Sequence, residues 1–98
     1  MTGEFTETLL SANIDPAQIL GYIPSLYLFG RTNISEYKIP NNVTSIGHRA
    51  FVKCTNLTYI DIPNNVTSIG FAAFENCSGL RQIVIPDSVT SIGDEAFL

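Results

Sequence analysis

Two cysteines and one histidine are the residues of this chain best suited to reactive chemistry. Cys54 and Cys77 lie 23 positions apart. They could close a disulfide if their backbones met at bridging distance, or fill one repeated interior slot as small apolar residues. The periodicity described below favours the interior slot. A zinc site is disfavoured, because two cysteines so far apart and a single histidine lack the ligand spacing such sites use. To act as a general base, His48 would need a carboxylate or a nucleophile held beside it. It stands instead in the variable place after a glycine and reads as a solvated side chain. The serines and threonines recur within "VTS", so none stands apart as a nucleophile. There is no glycine-rich phosphate loop. Five N-x-S/T triplets begin at Asn33, Asn42, Asn56, Asn65 and Asn76. They read as turn chemistry rather than as modification sites. No constellation of acid, base and nucleophile appears. No metal or cofactor is expected, and the chain does not read as an enzyme.

What positions these residues is a repeat. "NNVTSIGHRAF" begins at Asn41, "NNVTSIGFAAF" at Asn64 and "DSVTSIGDEAF" at Asp87, each start 23 residues after the last. Residues 39–61 and 62–84 are identical at 14 of 23 positions, and 85–98 is a partial third copy. Counting back by one period finds a degenerate copy over 16–38. There Ile23, Leu20, Leu28 and Ile34 answer to Ile46, Val43, Phe51 and Leu57. The interior slots stay apolar while the surface wording is lost. A period of this length signals a solenoid, in which one coil cannot bury its apolar set alone.

Within each copy, "LTYIDIP" and "LRQIVIP" read as short strands ended by a proline. Leu57, Ile60 and Ile62 then point inward, with Tyr59 and Asp61 outward. "ISEYKIP" is the same strand one coil earlier, with Ile34, Tyr37 and Ile39 inward. "NNVTSIG" reads as a turn followed by two inward residues. Its glycine permits a positive φ or a close backbone approach. "AFxxC" is a single helical turn or tight bend, with its Phe in the interior. Asp15-Pro16 is a helix start. Residues 1–15, with Phe5, Leu9 and Leu10 on one stripe, are expected to cap the first coil. The division is thus a cap over 1–15 and repeats over 16–98.

Composition bounds the partners. The chain has 98 residues, net charge −4 and only 14% charged residues. The five Lys and Arg residues are scattered, so no basic stripe exists to neutralise phosphates, and nucleic acid is disfavoured. No stretch approaches the ~18 apolar residues of a membrane span. "MTGEFTETLL" lacks the pattern of a signal peptide. The location favoured is therefore cytoplasmic or within an assembly, rather than secreted or on a cell surface.

The stretch "LTYIDIPNNVTSIGFAAFENCSG" resembles the BspA-type, or treponemal-type, leucine-rich repeat. The resemblance is specific over 39–98 and degenerate over 16–38. It implies an α/β-type repeat solenoid: a short right-handed stack of parallel strands with few long helices. It also implies non-catalytic protein binding, since members are mostly bacterial or protist surface proteins that bind host or microbial proteins, and some occur in viruses. Such surface proteins are usually long and carry export signals; neither feature is visible here.

Two variable strips are the candidate partner-binding residues. After each glycine the letters run His48-Arg49, Phe71-Ala72 and Asp94-Glu95, from basic through apolar to acidic. This strip reads equally as a contact surface anchored by an exposed Phe71 or as drift at solvent-facing slots. The outward strand positions give columns Glu36, Tyr59, Gln82 and Lys38, Asp61, Val84, with Arg81 beside them. Four strands spaced about 4.8 Å apart make a face of only about 400 Å², against about 800 Å² per partner in a stable interface. Other surfaces or several copies must then take part, and the apolar edge at Phe97 and Leu98 offers self-association. The readings carried forward are protein binding, edge-mediated structural assembly, and inhibition of another intracellular protein.

Overall fold

The computed structural model describes residues 14–98. The expected cap over 1–15 lies outside the described residues except for Ile14 and Asp15. Helix α1, Pro16–Leu20, opens the first coil. The Asp15 carboxylate accepts from the Ala17 N–H at 3.0 Å, Pro16 sits in the first turn, and Gly21 ends the helix at φ 81°. These are the start and stop devices of a short helix. Because α1 replaces the turn used by later coils, Leu20 does not fill the slot of Val43 and Val66. It is exposed, and Ala17 is buried instead.

Five short strands follow: β1 (Glu36–Lys38), β2 (Ser45–Ile46), β3 (Tyr59–Asp61), β4 (Ser68–Ile69) and β5 (Ser91–Ile92). They form two parallel sheets, β1-β3 and β2-β4-β5. In every pairing a residue faces the one 23 positions on: Glu36 with Tyr59, Lys38 with Asp61, Ile46 with Ile69, Ile69 with Ile92. Ile23 extends the second sheet by a bridge to Ile46. That second sheet adds a strand to the reading of "NNVTSIG" as a turn followed by two inward residues. Its inward residues are three apart, so no alternation announces a strand; the strand exists because the coil beside it accepts its hydrogen bonds.

A third ladder runs through the turns. The Leu28 N–H donates to Ala50 C=O at 2.8 Å, Phe51 to Ala73 at 2.8 Å, and Phe74 to Ala96 at 2.7 Å. Left-handed residues make this path in two slots: Leu26, Arg49, Ala72 and Glu95 at φ 55–61°, and Gly30, Lys53 and Asn76 at φ 59–68°. The glycine after "VTSI" serves close approach rather than positive φ. A Cβ on Gly47 would come within 2.6 Å of the Ile23 carbonyl oxygen, and one on Gly70 within 2.8 Å of the Gly47 carbonyl carbon.

The interior holds side chains of like kind in register. Phe51 and Phe74 stack with centroids 5.1 Å apart, and Phe74 and Phe97 at 5.4 Å. Offset stacking of this kind adds to the gain from burial itself. Buried Ile23, Ile46 and Ile69 form a second column, and Val43 and Val66 a third. One expected element is missing. Residues 80–86, "LRQIVIP", form no strand and do not pair with β3. Ile83 and Ile85 are only partly buried, while their counterparts Ile60 and Ile62 are buried.

Candidate functional site

Pairing of β1 with β3 sets the outward columns in place, with Glu36 beside Tyr59 and Lys38 beside Asp61. Tyr37 and Ile60 turn inward between them, as the strand period requires. Where the next strand was expected, residues 81–86 stand off from β3 and leave a cleft of about 650 Å³. Tyr59, Asp61, Arg81, Gln82 and Val84 line it. Four of the sequence candidates, Tyr59, Asp61, Arg81 and Gln82, are therefore brought together; Glu36 and Lys38 lie on the adjoining strand. Among the described residues the far edge of β3 has no strand partner, so its backbone groups remain open to an added segment. The cleft offers a carboxylate, a guanidinium, a phenol that is 52% exposed and the apolar Val84 side chain. Charged, polar and apolar groups thus lie together along one edge of β3.

The post-glycine strip lies elsewhere on the coil. Hydrogen bonds from Arg49 N–H to Phe71 C=O at 2.9 Å and from Ala72 N–H to Asp94 C=O at 3.0 Å set its coils one upon another. His48, Arg49, Asp94 and Glu95 are exposed. Phe71 departs from expectation, because it is half-buried. The Arg49 guanidinium lies 4.9 Å from its ring centroid, a cation–π geometry, and the His48 ring meets it edge-on at 6.5 Å. Ala72 is buried, so the centre of the strip is Phe71 alone.

The two thiols are free and buried. Cys54 donates to the Leu28 carbonyl at 3.0 Å and Cys77 to the Phe51 carbonyl at 2.9 Å. Each thiol thus satisfies a carbonyl of the coil before it. The neighbouring Cys54 thiol, and then burial, push the Cys77 thiol up. The asparagines do similar work. Asn42 donates to Gln18 C=O at 2.7 Å, Asn56 to Thr32 C=O at 2.6 Å and Asn65 to Asn41 C=O at 2.5 Å. No cluster of three or more metal-ligating side chains occurs among the described residues. No helix there is long and apolar enough to cross a membrane.

One polar knot escaped the sequence reading. Both Asp15 carboxylate oxygens accept tyrosine hydroxyls, one from Tyr27 and the other from Tyr37 at 2.5 Å. Tyr27 takes the slot that Ala50, Ala73 and Ala96 fill in later coils, and Tyr37 the slot of Ile60. An inward tyrosine needs a partner for its hydroxyl, and the acidic residue at the helix start was the available signal. Burial first, and then the Asp15 hydrogen bond, push both hydroxyls well above an ordinary tyrosine.

The comparisons with known proteins agree with this architecture. A family model described as a BspA type leucine rich repeat region matches residues 22–98. The crystal structure of a T. pallidum leucine rich repeat protein (TpLRR) superposes with a TM-score of 0.76 at 32% identity. The match covers 78% of this chain and 36% of that one, so the chain spans about a third of that protein's length. No curated protein matches.

Proposed function

We propose, from the premise that the chain belongs to the BspA-type leucine-rich-repeat family, that it is a non-catalytic module binding a protein partner in the cleft between β3 and residues 81–86. The stack is right-handed in this reading, as right-twisted parallel strands joined by crossovers require. The observation that carries the proposal is the gathering of Tyr59, Asp61, Arg81 and Gln82 around one cleft beside an unpaired strand edge. An extended partner segment entering there meets an open backbone edge for affinity and alternating side chains for specificity, as in strand addition. Glu36 and Lys38 widen the contact. The face is smaller than the roughly 800 Å² per partner of a standard interface, so modest affinity is expected.

Affinity capture from the native source tests this, run in parallel with the wild-type protein and with Tyr59→Ala and Arg81→Glu. A partner held by the wild type and lost by both variants, with unchanged circular dichroism, supports the cleft. Equal capture by all three removes it. A second reading, assembly through the stack's edge, rests on the exposed Ile92, Phe97 and Leu98 side chains. It predicts a particle mass that rises with concentration and falls when Phe97 is replaced by Ser.

A further inference from the structure

The strip formed by His48, Arg49, Phe71, Asp94 and Glu95 is the remaining feature with a chemical direction. It lies one turn and one strand along the coil from the cleft and has no part in the binding proposed above. Its basic residues stand on one coil, its aromatic ring on the next and its acidic residues on the one after. With coils about 4.8 Å apart, the backbones of the His48-Arg49 and Asp94-Glu95 coils are roughly 10 Å apart. Among the described residues the Arg49, Asp94 and Glu95 side chains make no hydrogen bond or ion pair. The Arg49 guanidinium instead rests on the Phe71 ring with its N–H donors unspent.

We infer that this strip binds a second copy of the same chain about a two-fold axis through Phe71. Rotation by a half-turn about that ring lays the His48-Arg49 coil of each copy against the Asp94-Glu95 coil of the other. The order basic, aromatic, acidic is complementary to its own reverse. A two-fold contact demands this property, because one patch must fit itself. The arrangement forms the ionic contact twice and places the two Phe71 rings, each under its Arg49 guanidinium, beside the axis. The flank of the strip does not resist coverage. The Thr44, Thr67 and Thr90 hydroxyls already donate to carbonyls of the preceding coil, at 3.4, 3.2 and 3.3 Å. The strip is small, so the dimer is weak and sensitive to salt, as exposed ion pairs are.

Sedimentation equilibrium over a concentration series tests the inference with four samples: the wild-type chain, an acidic-strip variant (His48→Glu with Arg49→Glu), a basic-strip variant (Asp94→Arg with Glu95→Arg), and their equimolar mixture. The wild type is expected to dimerise at low salt and to lose at least about tenfold in association near 0.5 M salt, where screening is short-ranged. Each variant alone stays monomeric. The mixture regains association, because an all-acidic strip now faces an all-basic one. A wild type that stays monomeric at about 1 mM and low salt overturns the inference, 1 mM being where even very weak complexes form. So does a mixture that associates no better than its components. A dimer kept by both variants places the contact elsewhere and overturns it too. Should either variant lose its folded circular dichroism, Arg49→Gln and Glu95→Gln take its place. Each must then weaken the dimer, and unchanged association in both counts against the strip. None of these substitutions touches the cleft, so partner capture through Tyr59 and Arg81 stands or falls separately.

Discussion

Ile23 and Ile92 occupy one slot at opposite ends of the stack, and their burial runs against their wording. Ile23 belongs to the degenerate copy, where almost no surface letter survives, yet it is 0% exposed. Ile92 sits in a near-perfect copy of the repeat phrase and is 50% exposed. The reason lies in the neighbours. Coil one has the second coil on one side, and α1 tied back by Asp15, Tyr27 and Tyr37. Among the described residues the last coil has a neighbour on one side only, the coil that carries β4 and Phe74. Wording sets which residues turn inward, and stacking sets whether inward means dry.

The largest effects should follow that contrast. Ile23→Ala is expected to destabilise by about 2–5 kcal/mol, as truncation of a buried isoleucine does. Ile92→Ala should lose well under half of that, since its side chain keeps much of its contact with water when folded. Chemical denaturation of both variants checks the difference. Equal losses would mean that Ile92 is covered in solution, by an edge partner or by a second copy.

A smaller effect tests how the first coil is closed. Tyr37→Phe removes a hydroxyl held by the Asp15 carboxylate, and a hydrogen bond to a charged group contributes roughly 1.5–3 kcal/mol. The same knot sets a dependence on pH. The folded-state pKa values of Tyr27 and Tyr37 lie above their unfolded value, through burial and the Asp15 hydrogen bond. The folded chain therefore keeps protons that the unfolded chain releases. The contribution is complete below about pH 10, the ordinary tyrosine value, and is lost as pH climbs beyond it. Tyr27→Phe with Tyr37→Phe should flatten this alkaline decline in the denaturation midpoint. A decline unchanged in the double variant would move its origin away from coil one.

Much of this fold was legible in the letters. The period placed Phe51 and Phe74 in one column, and the outward columns of β1 and β3 fell in register as read. The Asp15-Pro16 start of α1 was also visible. What was not legible depends on neighbours that a linear reading cannot weigh. Residues 80–86 have the wording of a strand and no strand partner. Leu20 has the right period and the wrong local structure, because a helix occupies its coil. Phe71 follows the surface pattern, yet a guanidinium from the coil before it covers its ring. The candidate site was only half legible for the same reason. Tyr59, Asp61, Arg81 and Gln82 could be chosen by position, but the cleft that joins them arises where one strand fails to pair.

The smallest effect should ignore the contrast between the ends. Leu26 and Glu95 both hold left-handed backbone, at φ 61° and 59°, one in the closed coil and one in the open coil. That conformation costs a non-glycine residue roughly 1–2 kcal/mol. Replacement by glycine relieves it but gives back about 0.5–1 kcal/mol in chain entropy. Leu26→Gly and Glu95→Gly should therefore each shift stability by less than about 1 kcal/mol, and in the same direction, since both side chains are exposed. Burial differs between the ends because it depends on what covers a coil. Backbone strain recurs at both because the turn ladder bends each coil alike. If thermal denaturation gave opposite signs for the two substitutions, the left-handed path would depend on neighbouring coils as well, and the separation between wording and stacking would fail.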